Sequence, residues 1–214
     1  MNEHPFCFIV PYRKREEHLA KFVPHYNTLF PRVPIFVVEQ FDDKPFNRAR
    51  LFNACFLLRG HEYNYAAYHD VDMYVVEKYK GEYLKYPSNP VHLCTHASQF
   101  QFQLPYPDFF GGVCLITADQ MERSNGWSNE FWSRNAEDDE MRNNLIKKGY
   151  AIERRTCFYD CDDHARHYDP IHFPKNIALL QKGRDESTDG LNNCKFTWVS
   201  TEEKEGYTLF KVKF

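Results

Sequence analysis

The chain is organised around one stretch, Tyr68-His69-Asp70-Val71-Asp72-Met73, in which two carboxylates stand one residue apart. Apolar runs typical of strands flank it, Tyr63 to Tyr68 before and Met73 to Val76 after. In an extended segment residues i and i+2 point to the same side, so Asp70 and Asp72 can face one object from the end of a strand. Hard divalent cations such as Mg²⁺ or Mn²⁺ prefer carboxylate oxygen. The pattern therefore indicates a cation site, although two solvated turn carboxylates produce the same pattern by chance.

Length and composition are those of a globular protein with a packed core. The 214 residues, 43% hydrophobic and 17% aromatic, predict one domain over residues 1–214. A formal net charge of -3 gives no support to nucleic-acid binding as the main task. A mean hydropathy of -0.66 and the absence of an 18-residue apolar run argue against a membrane span. The first five residues lack the basic and apolar regions of a secretory signal.

The cysteines indicate free thiols. There are seven, an odd number, and Cys7, Cys55 and Cys114 stand inside apolar runs, where a thiol behaves as a small hydrophobe. Cys157 and Cys161 lack a second pair at zinc-finger spacing, so a structural zinc site is not expected. A reducing compartment is the simpler interpretation.

The first forty residues predict a strand, a helix and a second strand. Phe6 to Val10 is a continuous apolar run, Glu16 to Phe30 has apolar residues at helical spacing, and Pro34 to Val38 is again apolar. This order implies a parallel pair of strands joined by a right-handed crossover. Ligands of such sheets bind beyond the carboxyl ends of the strands, where the basic loop Pro11 to Arg15 falls. The alternative is a solvated basic turn.

Two further motifs suggest contacts with a ligand, one at the start of a helix and one at a tight turn. Phe46 opens a helical pattern that places Arg48 in the first turn, where the helix dipole disfavours a cation unless an anion is near. Gly111 and Gly112 precede the apolar run Val113 to Ile116, and paired glycines permit close approach of a ligand to the backbone. An ordinary tight turn before a strand has the same sequence.

Two clusters of titratable residues suggest catalysis and metal binding. Four consecutive acids, Glu137 to Glu140, begin a predicted helix, whose amino end favours one or two acids. Four in a row make a catalytic base plausible. Further on, His164 and His167 are three residues apart, close enough to share a face of a helical turn and bind one ion.

Six motifs, in the order given below, resemble the β-1,4-galactosyltransferase family, including its xylosylprotein members. The resemblance extends from Phe8 to the C-terminal region, and the motifs are Val10 to Leu19, Phe46 to Arg50, His69 to Asp72, Phe109 to Val113, Glu137 to Asp139, and Asp189 to Asn192. It implies a GT-A-like α/β fold with a mixed, mostly parallel central sheet flanked by helices. It also implies a UDP-sugar donor, a saccharide or glycoconjugate acceptor, Mn²⁺ or Mg²⁺, and inversion at the anomeric carbon.

The resemblance also implies roles for individual residues. Asp138 corresponds to the base that deprotonates the acceptor hydroxyl, and Glu137 to the residue that hydrogen-bonds the donor sugar. Asp72, His164 and His167 correspond to the metal ligands. The residues that correspond to the donor-binding site are Pro11, Arg13, Arg15, Phe46, Arg48, Asp70, Val71 and Gly112.

The chain departs from the family at four points. The family segment Trp-Gly-Trp-Gly-Gly reads Trp132 to Ala136 here, with Arg134 in place of the second tryptophan, which affects acceptor identity and loop closure. Phe109 stands where many members have tyrosine beside the donor sugar. His164 replaces a ligand that is often methionine, and this harder ligand broadens the expected use of ions from Mn²⁺ toward Mg²⁺. The chain carries no membrane anchor of the kind found in Golgi members, so we expect a cytoplasmic enzyme, with a trimmed Golgi catalytic domain as the alternative.

The function expected from the sequence is a metal-dependent, inverting transfer of a hexose, with galactose as the expected sugar, from a UDP-sugar to a saccharide hydroxyl. One alternative is a transferase for another donor sugar such as glucose or an N-acetylhexosamine. A second is a non-catalytic carbohydrate-binding module that keeps the fold, suggested by the altered segment before Glu137. A third is a metal-dependent nucleotide-sugar hydrolase or phosphatase.

Overall fold

The computed structural model describes residues 5–133, 135–162 and 169–214. The strands of these ranges are β1 (Phe6–Tyr12), β2 (Ile35–Gln40), β3 (Tyr65–His69), β4 (Met73–Val75), β5 (Val91–His92), β6 (His96–Ala97), β7 (Val113–Thr117), β8 (Glu153–Arg154), β9 (Phe158–Cys161), β10 (Thr197–Lys204) and β11 (Tyr207–Lys213). The α-helices are α1 (Glu16–Leu29), α2 (Arg48–Leu58), α3 (Gly81–Leu84), α4 (Ala118–Arg123), α5 (Glu137–Lys147) and α6 (His172–Lys182).

The main sheet is mixed and mostly parallel. Its eight strands have the order β10-β11-β2-β1-β3-β7-β5-β8, and β4, β9 and β6 form a separate three-stranded sheet. Strands β11, β2, β1 and β3 run parallel to one another, whereas β10 is antiparallel to β11 and β7 is antiparallel to β3. The predicted mixed, mostly parallel central sheet is confirmed by this arrangement.

Strand β1 lies between two apolar layers. All seven of its residues are buried, and they alternate between the layers because successive side chains of a strand point to opposite faces. Phe8 and Val10 join the layer that contains helix α1, and Cys7 and Ile9 join the layer that contains helix α2. The strand, helix and strand predicted from the first forty residues are confirmed, with ends that differ by one or two residues.

Some predicted strands are wrong or displaced. The sequence of Tyr150 to Ile152 predicts a short strand, which does not form because the Tyr150 amide donates to Leu145 O and so closes the end of helix α5. The run after Asp72 forms β4, which pairs with β9 in the small sheet and not with the main sheet. The sequence of Pro90 to Cys94 also predicts a strand, of which the structure forms only the two residues of β5.

The ends of three strands meet at one edge of the main sheet. Strand β1 leads into the basic loop, β3 leads into Asp70, and the antiparallel strand β7 begins just after Gly112. The Asp70 amide donates to Gly112 O at 3.0 Å, which joins two of these loops directly. The predicted ligand-binding edge is therefore built by the fold. Within the described ranges, no helix is long and apolar enough to cross a membrane.

Candidate active site

One cavity of about 750 Å³ lies at this edge of the sheet. Every predicted site residue within the described ranges lines it, namely Pro11, Arg13, Arg15, Phe46, Arg48, Asp70, Val71, Asp72, Gly112, Glu137 and Asp138. The two predicted metal ligands His164 and His167 lie outside the described residues. Residues that are far apart in sequence thus line one cavity, as the resemblance implies, and their roles stay predictions.

Arg48 connects Asp70, which follows strand β3, with Asp138 at the start of helix α5. Its Nε donates to Asp70 Oδ1 at 2.6 Å, and its Nη1 donates to Asp138 Oδ1 at 2.6 Å. A third carboxylate, Glu137 Oε1, lies 3.6 Å from the same Nη1. The guanidinium also lies 4.7 Å above the ring of Phe52. These carboxylates are the anions that a cation in the first turn of helix α2 requires.

Burial changes the protonation of the carboxylates. Desolvation, strengthened by the neighbouring charge of Asp138, raises the pKa of Glu137 to about 7. Burial also raises the pKa of Asp138, although Arg48 opposes the rise. The pKa of Asp72 is raised by burial too, against the opposing charges of His18 and Arg15. Raised carboxyl pKa values in a cleft are common at catalytic sites.

The glycine turn packs too closely for any side chain. A Cβ on Gly111 would lie 2.7 Å from Asp138 Oδ2, and a Cβ on Gly112 would lie 2.8 Å from Cys94 Sγ. Gly112 also has a positive φ of 84°, which L side chains rarely adopt. The two glycines therefore allow the β7 turn to lie directly against the acidic start of helix α5.

The segment before Glu137 has an unusual backbone. Ser133, Asn135 and Ala136 have φ values of 67°, 88° and 70°, in the left-handed region. These are the positions where the family segment quoted above has glycine. Arg134, between them, lies outside the described residues. We call Trp132, Ser133, Asn135 and Ala136 the base loop, because it leads directly into Asp138.

Contacts from three directions hold the base loop. The buried side chain of Asn176, in helix α6, donates from Nδ2 to Trp132 O at 2.9 Å and to Asn135 O at 3.2 Å. The Ser133 amide donates to Phe46 O at 2.7 Å. The ring of Trp132 lies 6.4 Å from that of Phe214 in an edge-on contact. No sequence pattern marks Asn176, because the carbonyls to which it donates are more than forty residues away.

The side of the cavity beyond Asp138 is aromatic and apolar. Tyr106 donates from its hydroxyl to Asp139 Oδ1 at 2.9 Å, and its ring packs edge-on against Phe109. Phe173 and Ile177 of helix α6 line the same region. Aromatic rings beside carboxylates suit the apolar faces and hydroxyl groups of a sugar.

The oxygen-bearing side chains of the cavity partly fit a hard divalent cation. Among the described residues, no group of three or more His, Cys, Asp or Glu side chains converges on one point. Of the three predicted metal ligands, Asp72 lies within the described residues, and it lines the cavity together with Asp70. Mg²⁺ and Mn²⁺ sites that bind nucleotides often use one or two protein carboxylates together with phosphate oxygen, which matches these residues.

Comparison with known proteins decides the family. A family model described as the N-terminal region of glycosyl transferase group 7 matches residues 1–84, and one described as the N-terminal domain of galactosyltransferase matches residues 91–169. The chain belongs to the β-1,4-galactosyltransferase family. β-1,4-Galactosyltransferase 5 of Mus musculus is 33% identical over 201 residues, which cover 89% of this chain and 51% of that protein. The chain thus spans about half the length of the curated relatives it matches.

Solved structures of the galactosyltransferase family have the same fold. The catalytic domain of Drosophila β1,4-galactosyltransferase 7, in complex with xylobiose, is 27% identical with a TM-score of 0.86, over 98% of this chain and 94% of that one. A mutant of the Drosophila enzyme, in complex with manganese, UDP-Gal and xylobiose, is 25% identical with a TM-score of 0.81, over the same shares of the two chains. These likenesses confirm the GT-A fold that the six motifs predicted.

Proposed function

We propose that this chain is the catalytic domain of a metal-dependent, inverting galactosyltransferase that uses UDP-galactose and a saccharide acceptor. One observation carries the proposal: a single cavity contains the Asp70 and Asp72 carboxylates, the basic loop after β1, and the Glu137-Asp138 pair. The structure of the Drosophila relative with manganese, UDP-Gal and xylobiose supports the choice of donor and ion. We propose that residues 1–214 form one such domain.

Asp138 is the proposed base. Its Oδ1 accepts from Arg48, so we assign Oδ2, on the side of Gly111, as the atom that takes the proton. As the acceptor oxygen forms its bond to the anomeric carbon, the bond from that carbon to UDP breaks and the hydroxyl proton moves to Asp138. A hydroxyl is a poor nucleophile until a carboxylate accepts its proton. One displacement with one base inverts the anomeric configuration.

Arg48 keeps the base ready for this step. Because it donates to Asp138 and Asp70 together, it holds the carboxylate of the base at a fixed distance from the loop that bears Asp72. Its charge also opposes the rise in the pKa of Asp138 that burial causes, which favours the active carboxylate form. Glu137, with a pKa raised to about 7, is suited to hydrogen-bond a sugar hydroxyl in either protonation state.

The donor occupies the strand ends in this proposal. Arg13 lies 5.3 Å from the ring centroid of Phe46, and we place the uridine beside this pair. Asp72, with His164 and His167, would hold the metal ion. When bound, Mn²⁺ or Mg²⁺ neutralises the charge that develops on the departing diphosphate. Tyr106, Phe173 and Ile177 line the side proposed for the acceptor.

A UDP-release assay tests the proposal against its rivals. A galactosyltransferase releases UDP only when metal, UDP-galactose and a suitable acceptor are present together. A binding module releases no UDP with any metal, and a hydrolase releases it without an acceptor. Calorimetric titration with a panel of UDP-sugars, in Mn²⁺, Mg²⁺ and EDTA, then identifies the donor sugar. Failure of every UDP-sugar to bind would contradict the proposal.

The cytoplasmic location expected from the sequence stays a prediction. Localisation of the tagged full-length protein in its own cells would test it, because a Golgi pattern would contradict the expectation.

A further inference from the structure

Two side chains behind the cavity hold the turn that precedes strand β7. His92 of β5 and Arg154 of β8 are cross-strand neighbours in the main sheet. Both reach the segment Pro107 to Gly111, which we call the glycine loop and which leads to Gly112. Neither residue belongs to a motif of the resemblance, and the proposed function assigns neither a role.

Arg154 binds the glycine loop with both ends of its guanidinium. Its Nη1 donates to Phe109 O at 2.9 Å, and its Nη2 donates to Pro107 O at 2.6 Å. The same Nη1 lies 2.6 Å from Nδ1 of His92. A guanidinium can only donate, so Nδ1 of His92 is the acceptor in this contact.

The contact with Arg154 fixes the tautomer of His92. Since Nδ1 accepts, the ring proton is on Nε2, which lies 2.9 Å from Gly111 O and donates to it. The side chain of His92 is fully buried, and this burial lowers its pKa to about 3, so the neutral ring persists at working pH. The two residues therefore hold three carbonyls of the glycine loop with one consistent set of donors.

The glycine loop lies against the proposed base. A Cβ on Gly111 would lie 2.7 Å from Asp138 Oδ2 and 2.7 Å from the Phe109 ring. Phe109 lines the cavity, and its ring packs edge-on against His92 at 5.5 Å. A small shift of this loop would therefore change both the position of the Asp138 carboxylate and the wall beside it.

We propose that His92 and Arg154 are positioning residues, which act through the glycine loop to set the distance between the donor sugar and Asp138. This inference rests on the proposed function for its link to catalysis. The two residues are expected to affect transfer and not the binding of the nucleotide, whose proposed contacts are Arg13 and Phe46 on another loop. Misplacement of reacting groups by about 1 Å can cost roughly a hundredfold in rate.

The test compares His92→Leu, His92→Gln and Arg154→Met. We expect kcat to fall about tenfold to a hundredfold in His92→Leu and Arg154→Met, because the glycine loop loses its donors. The Kd of UDP in the presence of Mn²⁺, measured by calorimetry, should stay unchanged. His92→Gln should recover most of the lost activity, since its side-chain amide can still donate to Gly111 O.

Arg155 supplies a matched control. It also donates to three backbone carbonyls, those of Glu82, Lys85 and Tyr86, but these belong to the region of helix α3 and not to the glycine loop. Arg155→Met should lower the melting temperature without lowering kcat. An equal loss of kcat in Arg155→Met, unchanged kcat in Arg154→Met, or loss of UDP binding in Arg154→Met would each overturn the inference.

Hydrogen exchange separates this inference from the proposed function. In Arg154→Met the amides of residues 108–113 should exchange faster than in Arg155→Met, whether or not the protein transfers a sugar. If the wild type transfers no sugar but the exchange difference is present, the proposed function fails and the positioning contact stands. Equal exchange in the two variants would overturn the positioning contact itself.

Discussion

The two walls of the cavity are built in different ways. The strand wall consists of the basic loop and the segment Asp70 to Asp72, which follow the buried strands β1 and β3 of the main sheet. The helical wall consists of the base loop, the first turn of helix α5 and one face of helix α6. Ladder hydrogen bonds and a packed core fix the first wall, whereas long-range side-chain contacts fix the second. We therefore expect changes in the strand wall to alter donor binding and changes in the helical wall to alter chemistry.

The largest expected effect is on the helical wall. Asp138→Asn should lower kcat about 10²- to 10⁴-fold, because an amide cannot accept the acceptor proton. Binding of UDP with Mn²⁺ should be retained, since the Asn carbonyl can still accept from Arg48 and keep the cluster together. The measurement is transfer rate with calorimetric donor binding, and Asp119→Asn on the exposed part of helix α4 is the control. Retained transfer in Asp138→Asn would exclude Asp138 as the base.

The strand wall should give the opposite result. Asp72→Ala should weaken UDP binding in Mn²⁺ by about tenfold or more and make it resemble binding in EDTA, because a metal ligand is lost. The exposed Asp160 of strand β9 provides a control carboxylate, and Asp160→Ala should bind donor as the wild type does. If Asp72→Ala still binds UDP in a metal-dependent manner, the assignment of Asp72 as a ligand is wrong.

The pH dependence should separate activity from stability. The carboxylate form of Asp138 is the active one, and burial raises its pKa and that of Glu137, the latter to about 7. The rate should therefore fall by up to about tenfold per pH unit once the Asp138 carboxylate is protonated, and this fall should begin above the usual range of an aspartate. Asp138 and Glu137 titrate together, so the fall in rate at low pH reports on the pair of carboxyls and not on one of them alone.

The free energy of unfolding should change with pH in the direction opposite to the transfer rate. Both folded-state pKa values lie above their unfolded values, so the folded chain binds more protons than the unfolded chain in this window. The free energy of unfolding should then fall as pH rises toward about 7 and become level above it. Urea titrations of the metal-free protein at several pH values measure this slope. A stability that rises with pH over this window would show that the pair is already ionised.

The sequence predicted the strand wall better than the helical wall for physical reasons. The basic loop follows β1, the segment Asp70 to Asp72 follows β3, and both strands come from apolar runs of the sequence. Because β1 and β3 are parallel neighbours, their ends lie at one edge, which brings the basic loop to Asp72. Asn176, His92 and Arg154 could not be found in this way. They act on backbone carbonyls that are distant in sequence, and carbonyls are present at every residue, so no local pattern marks the partner.

Removal of the Asn176 side chain should lower the transfer rate without changing the binding of UDP. Asn176→Ala takes away two donors from the base loop, so we expect kcat to fall about tenfold through misplacement of Asp138, with UDP binding unchanged. Asn27 is a matched control, because it is also a helical asparagine whose Nδ2 donates to a loop carbonyl, Gly206 O, at 3.1 Å. Asn27→Ala should leave kcat unaltered. A similar loss in both variants would mean that Asn176 acts on general stability alone.

The smallest expected effect concerns the backbone of the base loop. Ser133 has a φ of 67°, which costs a residue with a Cβ about 1 kcal/mol and costs glycine almost nothing. Ser133→Gly should therefore unfold with a free energy about 1 kcal/mol higher than Ser133→Ala, which keeps the left-handed cost and also lacks the hydroxyl. Urea denaturation of the two variants measures the difference. A more stable Ser133→Gly protein with slower transfer would indicate that a stiff, strained loop helps to hold Asp138, whereas equal transfer would mean that Asn176 and Phe46 suffice to hold it.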